Sequence, residues 1–451
     1  MNRIPHILAL ILTLPVFALA QAPAPAQARP TLSLSLEKAV EIALAPQGST
    51  RRQLAAELIR QAEAQKRTAL SAVLPNVDGS WAMSSFTRNL EAFGLSTTPQ
   101  PGVPFSIPAF VGPVSTYDWR ATANWNLLDW SAWQRYRASK SRLDAASTEE
   151  KTARNQTTAM VIRAYASAQR AEQMVATAES NIVLARRILK LAFNQKDAGM
   201  ATGIDVTRAE VQLAQENSRR IFALQERDRA RLDLLRVLNL GLDTDIELSD
   251  PLLYRPVEPP SIDQAISQAR ESRPELKSQL ARERSGQLNS TAAKYARLPS
   301  VQGFGDYGTI GTSPGSGLPT RVAGLRVNIP LWDGGRRDAQ RAEAASLLRQ
   351  EEIHGRDLRQ QVELEVRSSI DTLRTADAQV QAASETSTLA EKEVEQAERR
   401  FREGVASSIE IADAQARLSR AREAKVTAIY LHRAARAEFG LAVGDVARAI
   451  E

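Results

Sequence analysis

The chain has 451 residues, with 58 lysines and arginines against 52 aspartates and glutamates, a net charge of +6, and no cysteine. The lack of cysteine excludes disulfides, zinc-thiolate centres, thiol nucleophiles and a lipid carried on an N-terminal cysteine. Charges of both signs are interleaved along the chain rather than gathered into a basic block, which reads as solvated helix surface and not as a nucleic-acid footprint.

The first elements are an export signal and a lead-in. Arg3, an apolar run from Ile7 to Ala20 and the small residues Ala18-Leu-Ala20 predict a secretory signal peptide over 1–20, cleaved after Ala20. Residues 21–31, rich in alanine and proline, read as a flexible lead-in. No later stretch approaches the roughly 20 apolar residues of a spanning helix.

A first structural repeat follows over 32–250. It opens with a helix over 36–72 and continues with strands at about 75–87 and 115–128, separated by a loop containing Thr97-Thr-Pro-Gln-Pro-Gly-Val-Pro104. In Tyr117-Asp-Trp-Arg-Ala-Thr-Ala-Asn-Trp-Asn-Leu127 the odd positions are aromatic or small and apolar, and the even ones are polar, a period of two that gives one apolar and one polar face. Eleven residues is the length of a membrane-spanning strand. A helical hairpin is predicted over about 131–239. Its first arm carries small or apolar residues at Val161, Ala164, Ala168, Ala171, Val175, Ala178, Ile182, Ala185, Leu189 and Ala192, the 3,4 spacing of a heptad seam that supercoils against neighbours. About 65 residues at 1.5 Å each make a rod of roughly 100 Å. The arm ends at Asp197-Ala-Gly199-Met-Ala-Thr-Gly-Ile-Asp205, where Gly199 suits the left-handed position after a helix and Thr202-x-x-Asp205 reads as a capping box for the next one.

After a linker over 251–260, the same order returns as a second repeat over 261–445: a helix over 262–296, strands at about 299–310 and 321–332, and a helical hairpin over about 336–442. Here the seam runs through Val362, Val366, Ser369, Leu373, Ala376, Val380, Ala383, Ser387, Ala390, Val394, Ala397 and Phe401, and the tip is Arg402-Glu-Gly404-Val-Ala-Ser-Ser-Ile-Glu410, with Ser407-x-x-Glu410 as the matching capping box. Residues 446–451 form a short tail. Gly303-Phe-Gly305-Asp-Tyr-Gly308 matches a dinucleotide-binding pattern, but no helix opens after it, so it reads as strand. His6 is lost with the signal, and His354 and His432 lie on separate helices with no triad or metal spacing around them. No cofactor, metal or catalytic residue is expected, and the chain does not read as an enzyme.

All six tryptophans, Trp81, Trp119, Trp125, Trp130, Trp133 and Trp332, fall in the strands or at their ends, as in an aromatic girdle at a lipid interface. The other reading of these segments is a soluble sheet with one face on a core, which would need its aromatics covered. Four strands cannot close on themselves, and an open edge in lipid leaves backbone groups unpaired at several kcal/mol each, so a barrel would have to be completed by other subunits.

The export signal, the twofold order of helix, strand pair and long hairpin, the glycine tips, and the junction Pro330-Leu-Trp-Asp-Gly-Gly-Arg336 together resemble the outer-membrane efflux protein family, the TolC-like channels. The resemblance covers essentially the whole mature chain. It implies a mainly α fold with a transmembrane β-barrel portion: a homotrimer whose protomers each give four strands to a 12-stranded barrel in the outer membrane, continuing into a periplasmic α-barrel of duplicated helical hairpins. The function it implies is a passive exit duct, in a tripartite efflux pump or type I secretion system, served by an inner-membrane transporter through a periplasmic adaptor. The alternative from another class is a soluble coiled-coil scaffold without a pore, which would not need the four alternating strands.

By motif position, the family's aperture-lining acids fall on Glu410 and Asp413, where three copies would form two rings attracting cations. Glu410 is also the capping-box carboxylate, whereas Asp413 has no capping role. The family acid that helps lock the closed state corresponds to Asp205, but its usual basic partner falls on Ala406 here, leaving Arg208 and Arg402 as candidate substitutes. The tip residues Gly199, Met200, Ala201, Thr202 and Gly404, Val405, Ala406, Ser407 correspond to the adaptor-docking surface, their small side chains permitting close approach.

Overall fold

The computed structural model describes residues 32–94 and 108–449; the expected signal peptide, the lead-in, the loop Thr97–Pro104 and the end of the tail lie outside the described residues. In chain order the elements are β1 (Leu32–Leu34), α1 (Leu36–Leu44), α2 (Thr50–Ser71), β2 (Asn76–Asn89), β3 (Phe110–Leu128), α3 (Trp130–Asp197), α4 (Gly203–Leu238), β4 (Ile246–Leu248), α5 (Ile262–Ser272), α6 (Pro274–Tyr295), β5 (Ser300–Gly311), β6 (Leu318–Asn328), α7 (Arg336–Arg402) and α8 (Ser408–Val443). Helix α3 has 68 residues and α7 has 67, so each runs for roughly 100 Å. Among the described residues no helix is long and apolar enough to cross a membrane.

The seams bury as the spacing requires. Val161, Ala168, Ala171, Ala185 and Ala192 on α3, and Val362, Val366, Leu373, Val380 and Val394 on α7, are all buried. Toward the tips the two hairpins share one core, in which Ile188, Ala192, Val206 and Ala209 of the first pack with Ala397, Phe401, Ile411, Ala414 and Leu418 of the second. Alanine predominates there because helices that lie this close leave no room for longer side chains.

Two opening helices expected to be continuous are each broken. The 36–72 helix divides at Ala45–Ser49, where Pro46 has no N–H to give and the chain turns back so that the Ser49 N–H donates to the Ala43 carbonyl at 3.0 Å. The 262–296 helix divides at Arg273, which is held extended (ψ 121°) by the proline that follows it and starts α6. The strand expected over 321–332 begins earlier, at Leu318, and stops at Asn328; the junction that follows is irregular up to Gly334 and Gly335, both at positive φ.

Midway along α3, a second core joins the repeats. The short strands β1 and β4 pair in parallel, which sequence periodicity over three residues cannot reveal. The buried Tyr165 hydroxyl donates to the Leu34 carbonyl at 2.9 Å and lies 3.1 Å from Asp250 Oδ2, which also accepts the Leu36 N–H at 2.7 Å. The start of the linker and the start of the described chain are thereby fastened to one point on the long helix.

The remaining four strands form a separate antiparallel sheet in the order β2-β3-β5-β6. The middle pair, β3 with β5, joins the two repeats, and β2 and β6 are left as edges.

Candidate functional site

The two tips are built alike. At the first, Gly199 sits at φ +75°, its N–H donates to the Lys196 carbonyl at 2.9 Å, and the Met200 N–H reaches the Gln195 carbonyl at 2.8 Å. At the second, Gly404 sits at φ +73°, with its N–H on the Phe401 carbonyl at 3.1 Å and the Val405 N–H on the Arg400 carbonyl at 2.9 Å. This is the left-handed helix end that satisfies the last carbonyls, and only a residue without Cβ takes it freely. The tips touch: Met200 Sδ lies 3.9 Å from where a Cβ on Gly404 would stand. Met200, Ile204, Val405 and Ile409 leave an exposed apolar surface at this end, 58% and 68% exposed at Met200 and Val405. Ala201 and Ala406 turn inward onto the shared core.

Asp205 is the hub between the tips. Its Oδ2 accepts the Thr202 N–H at 2.8 Å and the Thr202 hydroxyl at 2.6 Å, the expected capping box. Its other oxygen accepts the hydroxyl of Ser408, from the second hairpin. Those hydrogen bonds, Ser408 first and then Thr202, hold the carboxyl down at about 2, helped by the Arg208 guanidinium 3.6 Å away. Arg208 also donates to Ser408 Oγ at 3.1 Å, so Asp205, Ser408 and Arg208 close a triangle across the two hairpins. Position 406, by contrast, contributes only packing. The Arg402 side chain is exposed, and what joins the tips there is its carbonyl, which accepts Gln195 Nε2 at 2.8 Å.

The second capping box does not form. Ser407 makes no side-chain cap bond, and Glu410 turns instead to Arg400 on α7, 3.2 Å away, because the guanidinium across the turn offers an opposite charge where Ser407 offers only a dipole. Asp413 is exposed, one turn further along α8.

One functional-looking cluster escaped the sequence reading. Above the tip core, Asn181 Nδ2 donates to Ser419 Oγ at 2.9 Å, Arg422 Nη1 donates to Asn181 Oδ1 at 3.0 Å, and Arg422 pairs with Glu391 at 3.2 Å. Arg219 joins this layer, 3.0 Å from the fully buried Glu216, whose carboxyl is pushed up by burial against the opposing pull of Arg219. The available signal was polar residues beside seam positions, Asn181 next to Ile182, but the partners of Asn181 lie 238 and 241 residues away.

At the far end from the tips, the sheet keeps two distinct faces. Trp81 and Trp119 are register partners with ring centroids 5.9 Å apart, and Trp125 lies on the same strand face, its indole N–H donating to the Val73 carbonyl at 3.1 Å. Trp130 opens α3, and Trp332 lies outside any strand, 89% exposed; all five are exposed. Trp332 is therefore a residue of the junction, where Pro330 cannot extend the ladder.

The model of the family described as outer membrane efflux protein matches residues 49–240 and 265–445. Protein CyaE of Bordetella pertussis is 28% identical over 239 residues, 51% of this chain, and the chain spans about half the length of that curated relative. Among solved structures, the Campylobacter jejuni CmeC outer membrane channel superposes with a TM-score of 0.74 at 18% identity, covering 91% of this chain and 86% of that one. The outer membrane protein VceC of Vibrio cholerae gives 0.75 at 15% identity over 91% and 96% of the two chains. The open state of the Neisseria gonorrhoeae MtrE outer membrane channel gives 0.74 at 17% over 91% and 89%. These identities speak for the fold alone, which is that of outer-membrane channels. Because the family match takes in both repeats and both helical tips, the chain belongs to the outer membrane efflux protein family.

Proposed function

We propose that three copies of this chain close their sheets into a 12-stranded barrel in the outer membrane and form a passive exit duct that continues through the helical hairpins into the periplasm. The observation that carries this reading is the sheet itself. Among the described residues it has two unpaired edges, β2 and β6, and its β3 strand carries Trp119 and Trp125 on one face, with Trp81 beside Trp119, and Asp118, Arg120, Thr122, Asn124 and Asn126 on the other. Such a sheet is unsatisfied in lipid alone and satisfied when edges pair around a ring. The duct serves a tripartite efflux pump or a type I secretion system. The tips Gly199–Thr202 and Gly404–Ser407 receive a periplasmic adaptor, and an inner-membrane transporter supplies the substrate. Glu410 and Asp413 line the aperture. The Asp205–Ser408–Arg208 triangle takes the place of the family's acid-to-base lock, since Ala406 carries no charge.

The test is purification from outer membranes in detergent, with mass and single-channel conductance measured on one sample. A conducting trimer supports the duct. A soluble, non-conducting species would overturn it and favour a coiled-coil scaffold.

A further inference from the structure

Arg120 stands at the centre of the polar face of the sheet. Its Nε and Nη2 lie 3.3 and 3.2 Å from Asp118 Oδ2 on its own strand, Nη1 donates to Asp306 Oδ1 on β5, and Nη2 donates to Thr320 Oγ1 on β6 at 3.2 Å. One guanidinium thus spans three strands. It can do so because its register partner on β5 is Gly308: a Cβ there would come 3.2 Å from the Arg120 Cβ and 2.3 Å from the Trp119 carbonyl oxygen.

The rows on either side carry the opposite charge. Asp78, Thr122 and Asp306 are register partners one row toward the helices, and Asp118 lies one row away from them. Three carboxylates therefore share a band three rows deep with a single arginine, and Asp78 stands outside the pairs that Arg120 makes. Two other arginines on this face lie outside the band: Arg326 is held over the Phe304 ring at 5.1 Å, about 14 Å nearer the helices, and Arg88 over the Phe86 ring at 5.2 Å, toward the opposite end of the sheet.

We propose that Arg120 is a specificity-determining residue of the duct: it staples the polar face and cancels one of three carboxylates, leaving a belt inside the strand barrel that favours cations by an amount Arg120 sets. This rests on the barrel reading above, with the polar face inward. A ring of fixed charge lining a water-filled pore selects by sign. A unit charge about 10 Å from a passing ion in water changes its local population by about twofold. Salt at ~0.1 M screens each charge to roughly a third, and the trimer carries three copies. Each substitution is therefore expected to raise one ion and lower the other by about twofold, about fourfold in the cation-to-anion permeability ratio.

The experiment is reversal-potential measurement in planar bilayers, with the full chain under a potassium chloride gradient. Three variants are compared with the parent: Arg120→Gln, Arg120→Lys and Asp78→Asn. Each is repeated with Glu410→Ala and Asp413→Ala, so that the tip does not mask the barrel. Arg120→Gln is expected to raise the cation preference about fourfold, Asp78→Asn to lower it about fourfold, and Arg120→Lys to keep the parental ratio because the charge is kept. Asp78→Asn leaves the staple intact and so reports charge alone. Conductance with an unchanged ratio in Asp78→Asn, or shifts of Arg120→Gln and Asp78→Asn in the same direction, would overturn the belt. A parent that forms no channel would instead overturn the duct on which the belt rests.

Discussion

Replacing Asp205 with alanine removes the capping box of α4 and the bond from Ser408 in one step. The carboxyl is held at about 2 against an ordinary value of 3.8. A difference of that size corresponds to ~2–3 kcal/mol at full strength, and solvent access at the tip reduces it to ~1 kcal/mol. The lost cap adds ~1 kcal/mol within the first hairpin. Only the Ser408 bond, the largest cause of the depression, joins the hairpins, so a cycle of Asp205→Ala, Ser408→Ala and the double variant should show a coupling of up to ~1 kcal/mol, at most about fivefold in the open-to-closed ratio. The assay is open probability in planar bilayers. The pH dependence follows from the sign of the shift. A carboxyl with a depressed folded pKa contributes fully above its unfolded value and loses that contribution as pH falls through about 2, so the coupling should be the same at pH 5 and pH 8. Additive single effects, or a coupling that disappears between pH 8 and pH 5, would refute this account of the lock.

Glu216, buried and with its carboxyl raised, contributes stability at low pH that is lost as pH rises through its folded pKa. Glu216→Gln should therefore diminish the fall in thermal stability as pH rises above the ordinary carboxylate range, and an unaltered pH profile would contradict that. Gly404→Ala should cost ~1–2 kcal/mol through its φ of +73° alone, since the nearest atom is the Met200 sulfur at 3.9 Å, and Gly199→Ala should cost the same; thermal unfolding checks both. Tyr165→Phe removes one of two donors to the Leu34 carbonyl, the Ser249 N–H remaining at 3.1 Å, and should cost ~0.5–1.5 kcal/mol, seen as faster amide exchange at Leu36. Replacing both Glu410 and Asp413 with alanine should weaken cation selectivity and cation block, and unchanged selectivity would remove them from the aperture.

The parts of this fold that were legible in the sequence are those whose signal is local and repeated. The seam through Val161 to Ala192 and its copy through Val362 to Phe401 report a helix face, the glycines at 199 and 404 report a backbone conformation, and the alternation from Tyr117 to Leu127 reports a half-apolar strand. Interruptions were less visible. Pro46 and Pro274 fall where the surrounding period continues, so the pattern alone carries across both breaks. Partners at long range were not visible at all. Asp205 has the same local spacing to Thr202 as Glu410 has to Ser407, yet one forms its cap and the other pairs with Arg400. What differs is the neighbour: Ser408 meets Asp205 from 203 residues away, and no periodicity records that.

Tyr165 anchors α3 about halfway along its length, 34 residues from Gly199. At 1.5 Å per residue the free arm is roughly 50 Å long, so a tilt of about 5° at the anchor displaces the tip by about 4 Å, a distance larger than the hydrogen bonds that join the two tips. The helix is a lever, and angular play at its fulcrum is multiplied where the hairpins meet. Residues that never approach the tip, Leu34, Asp250 and the Tyr165 hydroxyl, thereby set how finely its position is held.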